Sequence, residues 1–243
     1  MDLRALLDRL FPAGHDVRAH DSLLQGEGRC GEAVFTVIGS ADHLEMGVEQ
    51  ALFMARAVLA TIENLPARPI LFLVDTQGQR LRRRDEMLGL SRCMAHLAQC
   101  VDLARQRGHP LVGLVYDQAL SGGFLATGMM ADVCAALPGA QIRVMGLSAM
   151  ARITRIPEER LSALAASSPA FAPGAANYVL MGAVDELWDD DLAAHLVDVI
   201  ATAPRDDRRA ALGFDRGGRM LAAPIARQVV EATRSSERAA ATD

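Results

Sequence analysis

Lysine is missing altogether: all 25 basic residues among the 243 are arginine. A Walker A loop needs a lysine at the phosphates, and Schiff-base chemistry needs a side-chain amine, so both classes are excluded. Biotin or lipoate carried on a lysine of this chain is excluded for the same reason, and any such group must come from a partner. Cysteine is sparse: Cys30, Cys93, Cys100 and Cys134 form no CxxC, and no Cys/His pair has zinc spacing. Neither a metal site nor a redox motif is signalled, and the four thiols read as reduced and structural. Cys93 and Cys100, seven apart, fall on one face of a helix. No apolar run reaches the roughly 18 residues of a membrane span. The opening MDLRALLDRLFPAGHD is charged and amphipathic and lacks a secretory apolar core, so a cytoplasmic location is expected. Positive charge is not in excess either. The formal net charge is −5, which argues against a general nucleic-acid binder.

Apolar residues make up 51% of the chain, enough for a sizeable core. The length fits one domain over 1–243, with a charged, Ala-rich tail from about Arg205 that is expected to fray over about 234–243. AVFTVI (33–38), PILFLVD (69–75) and PLVGLVY (110–116) are short apolar runs that read as buried strands. Helices are expected over 47–64, 85–107, 157–166, 173–182 and in DLAAHLVDVIATA. In the 85–107 helix, Leu90, Met94, Leu97, Val101 and Ala104 recur as one packed stripe. GGFLATGMMA suits a short helix, and DVCAAL, QIRVMG and AVDELW suit short strands. Strand–helix alternation places the chain in the α/β class with right-handed crossovers.

GEGRCG (26–31) formally matches a dinucleotide fingerprint but precedes a strand instead of following one, so it reads as a hairpin turn. His96 and His109 have no Ser or Cys partner at a telling spacing and read as structural. The run Arg80, Arg82, Arg83, Arg84 reads either as a solvated loop or as a grip on phosphate or an acidic partner.

SGGF (121–124) hands a strand over to a helix. It admits three readings: Ser121 as nucleophile, the glycines as an anion cradle, or a plain tight turn. A nucleophile elbow is GxSxG, with serine between spaced glycines, whereas both glycines here follow Ser121. Glycines at a helix start let the backbone approach a ligand, and the first N–H groups lack internal partners. Such donors stabilise a developing oxyanion. VDTQGQ (74–79) and VMG (144–146) also place glycine at strand ends, which favours a site assembled from backbone amides. No paired carboxylates accompany the glycine turn; Asp117 precedes it and Asp132 follows it.

These residues in this order (VDTQGQ, a long helix, PLVGLVY, SGGFLATG, AQIRVMG) resemble the crotonase-like carboxyltransferase family over about 33–190. VDTQGQRLRRRDE, ARITRIPEERL and SSPAFAPGAANYVLMGAVDELW are similar to its branch of γ subunits of biotin-independent malonate decarboxylase. Gln77, in place of proline, and the Arg-rich loop fit that branch better than the biotin enzymes. The resemblance implies a spiral of ββα units and a site shared with a homologous β subunit. It implies as substrate a malonyl thioester on the CoA-like prosthetic group of an acyl carrier protein, reloaded by a transferase subunit. No metal and no biotin are implied. Decarboxylation would leave an enolate, held by the backbone amides of Gly122, Gly123 and Phe124 or by the partner's own oxyanion hole. Gln77, Gly78, Met145 and Gly146 would wall the substrate site. Arg82 and Arg83, on charge alone, would contact the carrier. Two other readings stay open: a non-catalytic partner for the β subunit, and a stand-alone thioester hydratase or isomerase.

Overall fold

The computed structural model describes residues 2–167, 172–204 and 206–240. Helix α1 (Leu3–Leu10) buries Leu6, Leu7 and Leu10. Strands β1 (Arg18–His20), β2 (Leu23–Cys30) and β3 (Ala33–Ser40) pair antiparallel at one edge of a sheet. Then come β4 (Leu44–Met46), α2 (Val48–Asn64), β5 (Ile70–Gln79), α3 (Arg83–Met87), α4 (Leu90–Gln106) and β6 (Leu111–Leu120). The short α5 (Ser121–Leu125) and a 3-10 turn (Gly128–Met130) lead to β7 (Val133–Ala136) and β8 (Gln141–Arg143). The chain closes with α6 (Leu147–Thr154), α7 (Glu158–Ser167), α8 (Ala175–Leu180), β9 (Glu186–Leu187), α9 (Leu192–Thr202), α10 (Arg209–Asp215) and α11 (Ala222–Ala240). Residues 241–243 of the tail lie outside the described residues.

The sheet runs β1-β2-β3-β5-β6-β7-β9, with β4 attached to β5 and β8 to β6. All pairings from β3 onward are parallel. Parallel strands covered on both faces read as continuous apolar runs, which is why ILFLV and LVGLV are so uniform. One face packs on α2 and α4 through Ile70, Phe72, Met54, Val58, Leu97 and Val101. The predicted stripe Leu90, Met94, Leu97, Val101, Ala104 is buried throughout. The other face packs on α1 and α9 through Leu71, Leu73, Leu114, Leu10, Trp188 and Leu196. The four cysteines are free thiols, three of them buried.

Strands β5 and β6 each take part twice. Residues 70–74 and 111–115 pair with each other in the main sheet, and the register then shifts between Val74 and Thr76. Beyond that bulge β5 pairs with β4, and β6 pairs with β8. The strand expectations therefore ended too early. VDTQGQ and YDQAL are not loops, because β4 and β8 supply backbone partners where the apolar pattern stops.

Two further expectations are corrected. The 85–107 helix is two helices, α3 and α4, separated at Gly89, whose φ of +80° is a left-handed conformation that suits glycine. GEGRCG is strand over residues 26–30, and the turn is only Gly31–Glu32. Its glycines answer to packing: a Cβ on Gly28 would lie 2.5 Å from the Phe11 ring. Strand β4 and helices α6, α10 and α11 had no counterpart in the sequence reading.

Candidate active site

The segment SGGF begins directly where β6 ends. Ser121 has φ of +50°, a left-handed value that a non-glycine residue rarely holds. It turns the chain abruptly from strand into α5. Gly122 and Gly123 are the second and third residues of that helix, where N–H groups have no intrahelical acceptor. Among the described residues no hydrogen bond takes up either N–H. Phe124 occupies the fourth position, where intrahelical bonding normally begins. With five residues α5 has little macrodipole, so any pull on an anion comes from the N–H groups themselves.

The glycines are packed against β5 beyond its bulge. A Cβ on Gly123 would lie 2.8 Å from Thr76 Oγ1 and 3.4 Å from the Gly78 Cα. A Cβ on Gly122 would lie 2.8 Å from the Gln79 side chain. Gly78 has φ of +90° and faces Leu120 and Ser121. The Thr76 hydroxyl ties these pieces together. It donates to the Leu44 carbonyl at 2.6 Å and accepts from the Gly78 N–H at 3.0 Å. The Gly78 donor is therefore already used, and Gln77 is exposed.

Met145 and Gly146 lie elsewhere in this neighbourhood. With Arg143, Leu147, Ile153 and Tyr178 they line a largely apolar cavity of about 630 Å³. The link back to α5 is twofold. Arg143 of β8 is the register partner of Leu120, and the Phe124 ring stands edge-on to Tyr178 at 6.5 Å. Phe124 itself is 2% exposed. Gly78, Gly122 and Gly123 thus come together, while Met145–Gly146 form the wall of the adjoining cavity.

The arginine loop is mostly engaged. Arg82 bonds Glu45 at 3.2 Å and Arg84 pairs with Glu49 at 2.6 Å. Arg80 is flanked by Glu45, Glu49 and Asp85 at 3.9 Å each. Arg83 is exposed and has no ion pair among the described residues. His109 is buried and bonds the Arg68 carbonyl, which makes it structural as read; His96 is exposed beside Cys100.

One constellation escaped the sequence reading. His43, Asp75 and Asp117 converge: His43 Nε2 lies 3.4 Å from Asp117 Oδ2 and 3.7 Å from Asp75 Oδ1. Asp75 is 3% exposed. Its oxygens accept the His43 N–H at 2.9 Å and the Gln118 N–H at 3.2 Å. Burial pushes its carboxyl up from the ordinary range, only partly offset by the His43 and Gln118 amides and the imidazole. These residues are 32 and 42 positions apart, so no spacing signals them. Asp75 and Asp117 do come together, but the glycine turn packs against Thr76, Gly78 and Gln79, so this pair does not join it. Asp132 serves structure instead, accepting from Arg105 and from the Leu111 N–H.

A helix-covered parallel sheet with β4 and β8 clipped to the far ends of its two longest strands, and a glycine turn at that junction, defines a crotonase-like carboxyltransferase fold. Solved structures agree. The chain superposes on a subunit of a Pseudomonas malonate decarboxylase hetero-tetramer in complex with coenzyme A with a TM-score of 0.76 and 28% identity, over 93% of this chain and 97% of that one. The Pseudomonas MdcD-MdcE hetero-dimer gives 0.73 and 28%, over 94% and 98%. Transcarboxylase 12S, at 18% identity, a TM-score of 0.68, and 82% of this chain against 41% of that one, shows the fold alone.

The family model for the malonate decarboxylase gamma subunit matches residues 41–233, and the chain belongs to that family. It is also 33% identical over 198 residues to the malonyl-S-ACP:biotin-protein carboxyltransferase MADD of Malonomonas rubra, covering 72% of this chain and 68% of that protein.

Proposed function

We propose that this chain, paired with a homologous β subunit, decarboxylates a malonyl thioester carried on an acyl carrier protein, giving the acetyl thioester and CO2. The observation that carries the reading is the pair of N–H groups on Gly122 and Gly123, held at the β5–β6 junction beside a cavity of ligand size. Loss of CO2 moves a negative charge onto the thioester oxygen. Fixed N–H donors stabilise that charge without a metal or a Schiff base, and one such donor contributes about 3–4 kcal/mol at the transition state. Gly122 and Gly123 are the donors, and Phe124, whose N–H stands where intrahelical bonding begins, adds at most a shared third. Met145 and Gly146 shape the cavity for the acyl arm, and Gln77 and Gly78 border the turn.

The need for a partner is supported by the surface. Ile225 and Val229, four apart on α11, are exposed, as is Leu221 just before the helix. The related Pseudomonas proteins crystallise as a hetero-dimer and hetero-tetramer. The carrier and the transferase that reloads it complete the proposed complex in the cytoplasm.

The test separates the N–H from the space it occupies. Gly122→Pro removes the donor, and Gly122→Ala adds the Cβ but keeps the donor; the Cβ common to both meets the Gln79 side chain. With both variants assembled into the complex, CO2 release is expected to fall about 100-fold or more for proline and far less for alanine. Equal activity of proline variant and wild type would leave the chain a structural partner of the β subunit. Turnover of crotonyl thioesters by the lone chain would instead favour a hydratase or isomerase.

A further inference from the structure

We infer that His43, Asp75 and Asp117 form a divalent-cation site that clamps the β3–β4 connection to β5 and β6 where both strands bulge. One nitrogen and two oxygens, each from a different segment, lie within 4.8 Å of one another. Two ligands bound to one ion at about 2.1 Å stand about 3–3.5 Å apart in tetrahedral or octahedral geometry. His43 Nε2 lies 3.4 Å from Asp117 Oδ2, within that range, and a small turn of the partly exposed imidazole closes the 3.7 Å to Asp75 Oδ1.

The surroundings fit a cation better than a simple ion pair. Asp75 is buried, yet no arginine approaches it among the described residues. A buried carboxylate is costly unless a cation or several donors compensate it. Each of its oxygens accepts one backbone N–H and keeps a second lone pair for a metal. The imidazole is oriented from behind: His43 Nδ1 lies 3.4 Å from the Gln118 side-chain amide. Metal-bound histidines are held in this way, with the far ring nitrogen donating to an oxygen. Turned over, the Gln118 amide offers Oε1 to Nδ1–H. The backbone is also committed in advance. Asp42 and His43 have φ of +53° and +51°, consecutive left-handed residues that are kept only where surrounding contacts enforce them. His43 and Asp117 remain partly open, at 39% and 50% side-chain exposure, leaving positions for water and a route for the ion. One imidazole and two carboxylates suit a borderline to hard divalent ion such as Zn²⁺ or Mn²⁺.

The proposal is independent of the decarboxylase reading, since its measurements need no turnover. The protein, with its β subunit if they purify together, is stripped with chelator. It is then titrated by calorimetry with ZnCl2, MnCl2 and, as a control, MgCl2, and its thermal unfolding is followed. One equivalent of Zn²⁺ or Mn²⁺ per chain is expected, with a higher unfolding temperature in excess metal. Asp117→Asn and His43→Gln are expected to weaken binding about tenfold or more. Asp117 is a surface position, so that variant is expected to fold even if His43→Gln does not. Undiminished binding by Asp117→Asn, or no saturable binding by the wild type, would overturn the site and leave an ion triad.

Discussion

Gly123 and Thr76 show how closely the candidate site is fitted. Thr76 is buried and its hydroxyl is shared between Leu44 and Gly78. The space a Gly123 side chain would need is the space that hydroxyl fills. Thr76→Ala leaves a buried carbonyl and a buried N–H short of a partner, a loss of about 1–3 kcal/mol. Gly123→Ala forces a clash of similar size, about 1–3 kcal/mol. In the double variant the clash disappears, so the two losses are expected to fall short of additive by about 1 kcal/mol or more. Denaturant unfolding of the four proteins measures this, and strict additivity would refute the contact. At this scale the sequence was informative where chemistry is local. Two glycines after a strand already suggest bare amides, because sequence neighbours supply everything needed. His43 was not legible, since its meaning depends on Asp75 and Asp117, brought to it by two different strands.

Apolar patterning located the buried parts of β5 and β6 and the inner stripe of α4. It failed where hydrogen bonding to a short neighbour, not burial of side chains, extends an element. β4 offers only LEM, too little to register as a strand, yet its pairing keeps TQGQ extended. GEGRCG reads as a hairpin turn because it precedes a strand, whereas its first two glycines lie in β2 and make room for Val17 and Phe11. The loop between β5 and α3 carries a similar lesson. Its charge admits either a solvated loop or a grip by Arg82 and Arg83 on an acidic carrier, and Arg82 is engaged by Glu45. If the loop docks an acidic carrier, Arg83→Glu should weaken carrier affinity at low salt more than Arg82→Glu does, since Arg83 has no ion pair among the described residues. Affinities for both variants at two ionic strengths check this, and no change for Arg83→Glu would make the loop a solvated face.

Across the whole molecule, the parallel sheet and its two helical layers give the carboxyltransferase fold, and the family model over residues 41–233 places the chain among the malonate decarboxylase gamma subunits. Class and order of elements were readable from the alternation of apolar runs and helical stripes; the second role of β5 and β6 was not. That double role bears on how such a protein can change over generations. Side chains along these strands are free to drift so long as volume and polarity are kept. Length is not free, because one residue gained or lost on one strand, unmatched on its neighbour, would send Thr76 and Asp75 to each other's sides. Relatives should therefore differ freely in composition across 70–79 and 111–120 while keeping an unbroken count. Gaps inside those two stretches in an alignment of functional homologues would show that the bulge is not what evolution has had to preserve.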